Sequence, residues 1–187
     1  MLDLRHNFGH DGDWDDELAP KGYGTHEVEE FREWDERVGH TITNLCAEIR
    51  EQWVHRHWTH SPMRFLPLKT LTWEEVRWSP KRFLSKVKTW RGYTEQLDPA
   101  YDYQIFAEPL VGERLQTAVA LDDGEWDIAP IVLRTPNGFL DTYGHQIDAG
   151  FLLIEGHKRR RYLNALVERG RELIDQRVFV IDSPLAT

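Results

Sequence analysis

Apolar positions recur along this chain with two different spacings, and each spacing predicts an element. Across residues 26–58, Val28, Phe31, Trp34, Val38, Ile42, Leu45, Ile49 and Trp53 step by three or four, which is one face of a helix. The other face carries Glu29, Glu30, Arg32, Glu33, Glu36 and Arg37, so a long amphipathic helix is expected, with Gly39 as its weak point. Continuous, it would reach about 50 Å, more than a small core needs. Its apolar stripe is therefore expected either to pack on the core or to meet a protein partner or a second copy of the chain through residues 26–58. Ser61-Pro62 ends it.

Further along, residues 151–154 are four consecutive apolar positions, as in a strand covered on both faces. Residues 128–133 and 178–181 read as further strands, the last closing a sheet, and residues 65–71 read as a first strand. Thr72-Trp73-Glu74-Glu75 has the form of a capping box and predicts a helix start. Ser79-Pro80 predicts another, with Phe83, Leu84, Val87 and Trp90 on its apolar side. Residues 103–106 read as a short strand, 110–121 lie between helix and loop, and 141–148 form a long polar connection. Leu163, Leu166, Val167, Leu173 and Ile174 return to helical spacing. The fold class expected is α+β (α/β), a small mixed sheet with flanking helices behind a long N-terminal helix. Residues 1–60 form an acidic arm and extension, and 61–187 the main domain.

Composition narrows the classes. With 40% hydrophobic residues, eight Trp and eight Phe in 187 residues, the chain is a folded globular protein rather than a disordered one. Its apolar runs are too short for a membrane span. The start, Met1-Leu2-Asp3-Leu4-Arg5, lacks the charge and apolar run of a signal peptide, and a single cysteine fits a reducing compartment, so a cytoplasmic protein is expected. The net charge of −9 argues against a whole-surface DNA binder. Charge is uneven, however: residues 1–51 hold 14 acidic and 5 basic side chains, which sets an acidic pole against basic patches in the remainder.

The chemistry concentrates where the apolar run 151–154 ends. Glu155, Gly156, His157, Lys158, Arg159, Arg160 and Arg161 come next, in that order. A glycine turn leading into a helix start presents unpaired N–H groups and the positive dipole end. Four cations at that end oppose the dipole, so an anion is expected to compensate them, most simply a phosphate. Read as strand, acid, G-x-x-R and helix, residues 154–159 resemble the signature turn of the ParB/sulfiredoxin superfamily. Asp127-Ile128-Ala129-Pro130-Ile131-Val132-Leu133 is similar to the strand before that signature, and residues 65–71 to the family's first strand, so the resemblance covers roughly residues 65–170.

The resemblance implies that Gly156 and Arg159 contact the phosphates of a nucleotide. Lys158, Arg160 and Arg161 add charge around them, and Mg²⁺ arrives with the nucleotide. Glu155 holds the position that serves as a base or metal partner in kinase-like members, and His157 is the second candidate for proton transfer. Two departures count. The sulfiredoxin cysteine is replaced by His157, and residues 178–187 are not expected to hold the helix-turn-helix region of chromosome-partitioning members.

Other candidates carry less. Asp141 and His145, in the loop before the signature strand, could line the site. His55, His57 and His60 lie within six residues, but in a helix the first two face apart and no carboxylate completes a metal set. Asp11-Gly12-Asp13-Trp14-Asp15-Asp16 fails the calcium-loop pattern at its sixth and twelfth positions. Cys46 lies on an apolar helix side and reads as core filler. Lys81, Arg82, Lys86, Lys88 and Arg91 interleave with Trp90 in a way that suits nucleic acid and equally an ordinary amphipathic helix. No nucleophile elbow, Walker A loop, CxxC or HExxH occurs. The function expected is nucleotide or phosphate binding, with phosphotransfer or nucleotide hydrolysis as its chemistry. The alternatives are a non-enzymatic nucleic-acid or protein interaction module, or a nuclease.

Overall fold

The computed structural model describes residues 1–8, 14–58, 60–107 and 112–187. The strands are β1 (Leu2–Asp3), β2 (Thr72–Trp78), β3 (Val87–Lys88), β4 (Ile131–Thr135), β5 (Phe139–Leu140), β6 (Gln146–Ile147), β7 (Gly150–Glu155) and β8 (Gln176–Asp182). The helices are α1 (Leu4–Asn7), α2 (Phe31–Val38), α3 (Ala47–Ile49), α4 (Pro80–Lys86), α5 (Pro99–Ala107), α6 (Gln116–Asp122) and α7 (His157–Glu168). The class is α+β, as the mixed patterning predicts.

The main sheet runs β2-β8-β4-β7-β3. β2 is antiparallel to β8, β8 parallel to β4, β4 antiparallel to β7, and β7 parallel to β3. Successive side chains of a strand point to opposite faces, and on the central strands β8, β4 and β7 both faces are covered, whereas the edge strand β2 is largely exposed. Ile131, Leu133, Leu152, Ile154, Phe179 and Ile181 join a core with Trp34, Leu45, Ile49, Trp53 and Trp58 of the N-terminal segment. Val132, Leu153, Val178 and Val180 join a second core with Phe83, Trp126, Tyr162 and Leu166. Double burial is why those central strands read as unbroken apolar runs. A small second sheet, β1-β5-β6, lies beside them.

Several local expectations give way. The helix predicted over 26–58 is broken. α2 ends at Val38, a 3₁₀ turn comes next at Gly39–Thr41, and the chain resumes as α3 and a π-helix at Arg50–His55. Most of its stripe is consumed inside the chain: Trp34, Val38, Ile42, Leu45, Ile49 and Trp53 are buried and Phe31 packs partly buried against the same core, while Val28 is exposed. Residues 65–71 are turns with a 3₁₀ segment at Leu68–Thr70, since Pro67 has no N–H to give a ladder. Thr72–Trp78 is not a helix start but a strand, paired residue for residue with β8. Cross-strand contacts override the capping box: Trp73 meets Phe179 edge-on at 5.6 Å, and Arg177 binds Glu75.

Residues 103–106 lie inside α5, which Asp98 starts by accepting the Tyr101 N–H. Leu173 and Ile174 fall beyond α7, which stops at Glu168 before Gly170, so the helical spacing overshoots. β8 does not close the sheet but sits between β2 and β4. The Ser79 start of α4 stands as predicted, with the Ser79 hydroxyl accepting the Arg82 N–H. The acidic run 11–16 falls partly outside the described residues. Cys46 packs half-buried against the first core, and burial raises its thiol pKa. Among the described residues no helix is long and apolar enough to cross a membrane.

Candidate functional site

β7 delivers the chain into α7 through Gly156. Its φ of +107° lies in the left-handed region, and a Cβ there would meet the Pro130 Cβ at 2.7 Å. Only glycine suits that geometry. Gly156 offers no side-chain cap, and α7 has no acid in its first turn, so the amides of His157, Lys158 and Arg159 have no acceptor within the helix. The first intrahelical bond is Arg160 N–H to Gly156 C=O at 2.9 Å. A cavity of about 500 Å³ opens in front of this helix end.

Four stretches of chain line the cavity: Arg56 and His57; Leu115, Gln116 and Thr117; Asp127 and Ile128; and residues 155–159. Arg159 is 6% exposed. Its Nη1 stands 3.7 Å from Glu155 Oε1, and its Nε has no hydrogen-bond partner. Burial depresses the guanidinium, opposed by Glu155 and Asp127. The His57 Nε2 stands 3.3 Å from the other Glu155 oxygen without hydrogen-bond alignment. Burial lowers the His57 pKa, and Glu155 resists that shift. The His157 ring packs tilted against Trp90, centroids 4.6 Å apart, and its Nε2 is also unpartnered. Burial, with Arg160 and His57 adding to it, pushes His157 down to about 4, so its ring is neutral at neutral pH. The Thr117 hydroxyl is another buried polar atom without a partner.

The structure divides the predicted residues. Glu155, Gly156, His157, Lys158 and Arg159 share the cavity wall. Arg160 and Arg161 do not. Arg160 turns to Glu95 at 2.6 Å, and Arg161 clamps Asp102, whose side chain is 1% exposed. Those two cations are compensated by protein carboxylates rather than by a ligand. Asp141 and His145 are not among the lining residues either. Asp141 is fully buried and accepts the Tyr143 and His145 N–H groups and the His145 ring at 3.1 Å, holding the turn between β5 and β6.

The three clustered histidines part company. His55 bonds the Glu29 carbonyl at 2.8 Å, His60 meets Tyr23, and His57 faces the cavity. Among the described residues no group of three or more His, Cys, Asp or Glu side chains converges to hold a metal ion.

The chain matches no family model, no curated protein and no solved structure.

Arg56, His57, Asp127 and the Leu115–Thr117 stretch are the lining residues that pattern reading missed. Residues 55–60 and 127–133 did stand out, the first as clustered imidazoles and the second as a strand. Nothing local in residues 55–60 points toward Gly156, and the resemblance that sets the 127–133 strand before the signature turn gives Asp127 no role.

Proposed function

We propose that this cavity binds a nucleotide or another phosphate-bearing ligand at the start of α7. The observation that carries the reading is Arg159: a guanidinium more than nine-tenths buried, with Nε unpartnered, on a cavity wall at the end of a twelve-residue helix. Burying a charge without full compensation is costly, and the Glu155 contact at 3.7 Å is long for a charge-assisted bond. A phosphate would accept from Arg159 and from the free amides of the first turn, and the positive helix end would favour it. Lys158, exposed at the rim, adds charge.

The resemblance of residues 154–159 to the ParB/sulfiredoxin turn supports the same reading, because it assigns the phosphate to the same glycine and arginine. If the site is catalytic, Glu155 and the neutral His157 ring are the groups beside Gly156 that could move a proton. Mg²⁺ would enter as counter-ion of the phosphates, since the described residues offer it no ligand group of three side chains.

The test is a thermal-shift screen of ATP, GTP, CTP, UTP and AMP, with and without Mg²⁺. A ligand at about 100 times its Kd stabilises the fold by about 2.7 kcal/mol. The shift should vanish in Arg159→Ala and persist in Arg161→Ala, because only the first cation faces the cavity. The absence of any shift, or equal loss in both variants, rejects the reading.

A further inference from the structure

One titratable group on the cavity wall comes from far upstream. His57 lies just past the π-helix Arg50–His55, in which the Arg56 N–H bonds the Glu51 carbonyl at 3.1 Å. The wide turn holds one more residue than an α-helical turn, which rotates the next side chains by about 100°. Trp53 and Val54 stay buried while Arg56 and His57 line the cavity.

We propose that the cavity is built for a dianionic terminal phosphate, as in a phosphomonoester or the end of a polyphosphate, and that His57 takes up one proton when that phosphate binds. This rests on the reading of the cavity as a phosphate site.

The His57 Nε2 is buried, has no hydrogen-bond partner, and stands 3.3 Å from Glu155 Oε2. With the ring proton on Nδ1, two lone-pair atoms face each other. A doubly protonated ring puts a cation 3.3 Å from that carboxylate, an ion pair by distance though not an aligned hydrogen bond.

The charged and titratable groups around His57 are Glu155 on β7, Arg56 on its own turn, His60 just after it, and Arg159 and His157 on α7. Without ligand, burial and the cations hold the ring neutral, against the pull of Glu155. A phosphate against Arg159 brings two negative charges into the same space. It offsets the two guanidiniums and leaves Glu155 free to stabilise an imidazolium.

The proton comes from solvent: one N–H bond forms on His57, and one buffer acid loses its proton. Around the cavity Arg56, Lys158 and Arg159 then stand with a charged His57 against Glu155 and Asp127, an excess of two positive charges that matches a dianion. An internal phosphodiester carries a single charge and compensates less.

The experiment is calorimetric titration of the full chain with pyrophosphate in EDTA near neutral pH, in two buffers of different ionisation enthalpy. Proton uptake should be larger by about one per ligand in the wild type than in His57→Gln, with His60→Gln resembling the wild type. Subtracting the variant removes the titration of pyrophosphate itself. Dimethyl phosphate, a monoanionic diester, should bind at least roughly tenfold more weakly, the equivalent of one pKa unit. Ring ¹⁵N shifts of the wild type should move His57 from neutral to cationic on pyrophosphate addition, a readout that needs no variant.

Tight binding with the same proton count in wild type and His57→Gln, and no change in the ring shifts, overturns the role of His57 while leaving the phosphate site standing. Equal affinity for dimethyl phosphate or a short oligonucleotide overturns the dianion and points to a nucleic-acid backbone. No binding of pyrophosphate at all rejects the phosphate site and the inference with it.

Discussion

Two histidine–carboxylate pairs in this molecule have similar distances and opposite characters. His145 and Asp141 are four residues apart, in one turn, at 3.1 Å. The carboxylate is fully buried and takes three donors, two of them backbone N–H groups, while the imidazole is 55% exposed. His57 and Glu155 come from distant parts of the chain and meet at 3.3 Å. There the imidazole nitrogen is orphaned, and the carboxylate is shared loosely with Arg159 at 3.7 Å. The first pair is saturated, so it staples a turn. The second leaves donors and acceptors unused beside a cavity, where a ligand could complete them. Hydrogen-bond saturation, not the identity of the residues, separates the structural pair from the available one.

The largest test of that contrast is Asp141→Ala. It strands two backbone N–H groups around the space left by a buried carboxylate and frees the exposed ring of His145, so unfolding in urea should show a loss of about 3 kcal/mol. A loss under about 1 kcal/mol would mean the staple carries little.

A second test uses His157, the other unsatisfied imidazole on the cavity wall. Its pKa is lowered from 6.5 to about 4 in the folded state. Below 6.5 the unfolded chain takes a proton that the fold refuses, so this contribution to stability is full above that pH and lost as pH falls toward 4. Between about pH 7.5 and pH 5 the expected loss is about 2 kcal/mol, and His157→Gln should flatten that part of the urea-derived profile.

The smallest effects belong to the two pairs' exposed or loosely held members. Glu155→Gln should cost about 1 kcal/mol or less, because neither of its contacts is an aligned short bond. His145→Ala should cost about 0.5 kcal/mol, its ring being mostly in solvent. A large loss of stability from Glu155→Gln would place that carboxylate with Asp141 as a structural group.

The legible parts of this fold share a short range. The Ser79 cap, the strand at residues 150–155 and the turn at Gly156 are each set by neighbouring residues, through dihedral preference, capping and unbroken apolar runs. Pattern reading failed where a distant element competed. Thr72-Trp73-Glu74-Glu75 satisfies a helix cap locally, but β8 offers it a full ladder with cross-strand partners for Trp73 and Glu75. The 26–58 stripe is correctly apolar, yet it packs on the core in pieces, with breaks at Gly39–Thr41 and at the π-helix.

The cations of α7 mark the boundary most sharply. The run from Lys158 to Arg161 and its place behind a glycine turn were determined by sequence alone, and so was the expectation that these charges need compensation. Which partner compensates each was decided by tertiary structure. Arg160 meets Glu95 and Arg161 meets Asp102, 65 and 59 residues away, while Arg159 is left facing a cavity with His57 opposite. Local sequence sets dihedrals and caps over about one helical turn. The partner of a charge depends on where the whole chain brings its carboxylates, and only the assembled sheet and its two cores specify that.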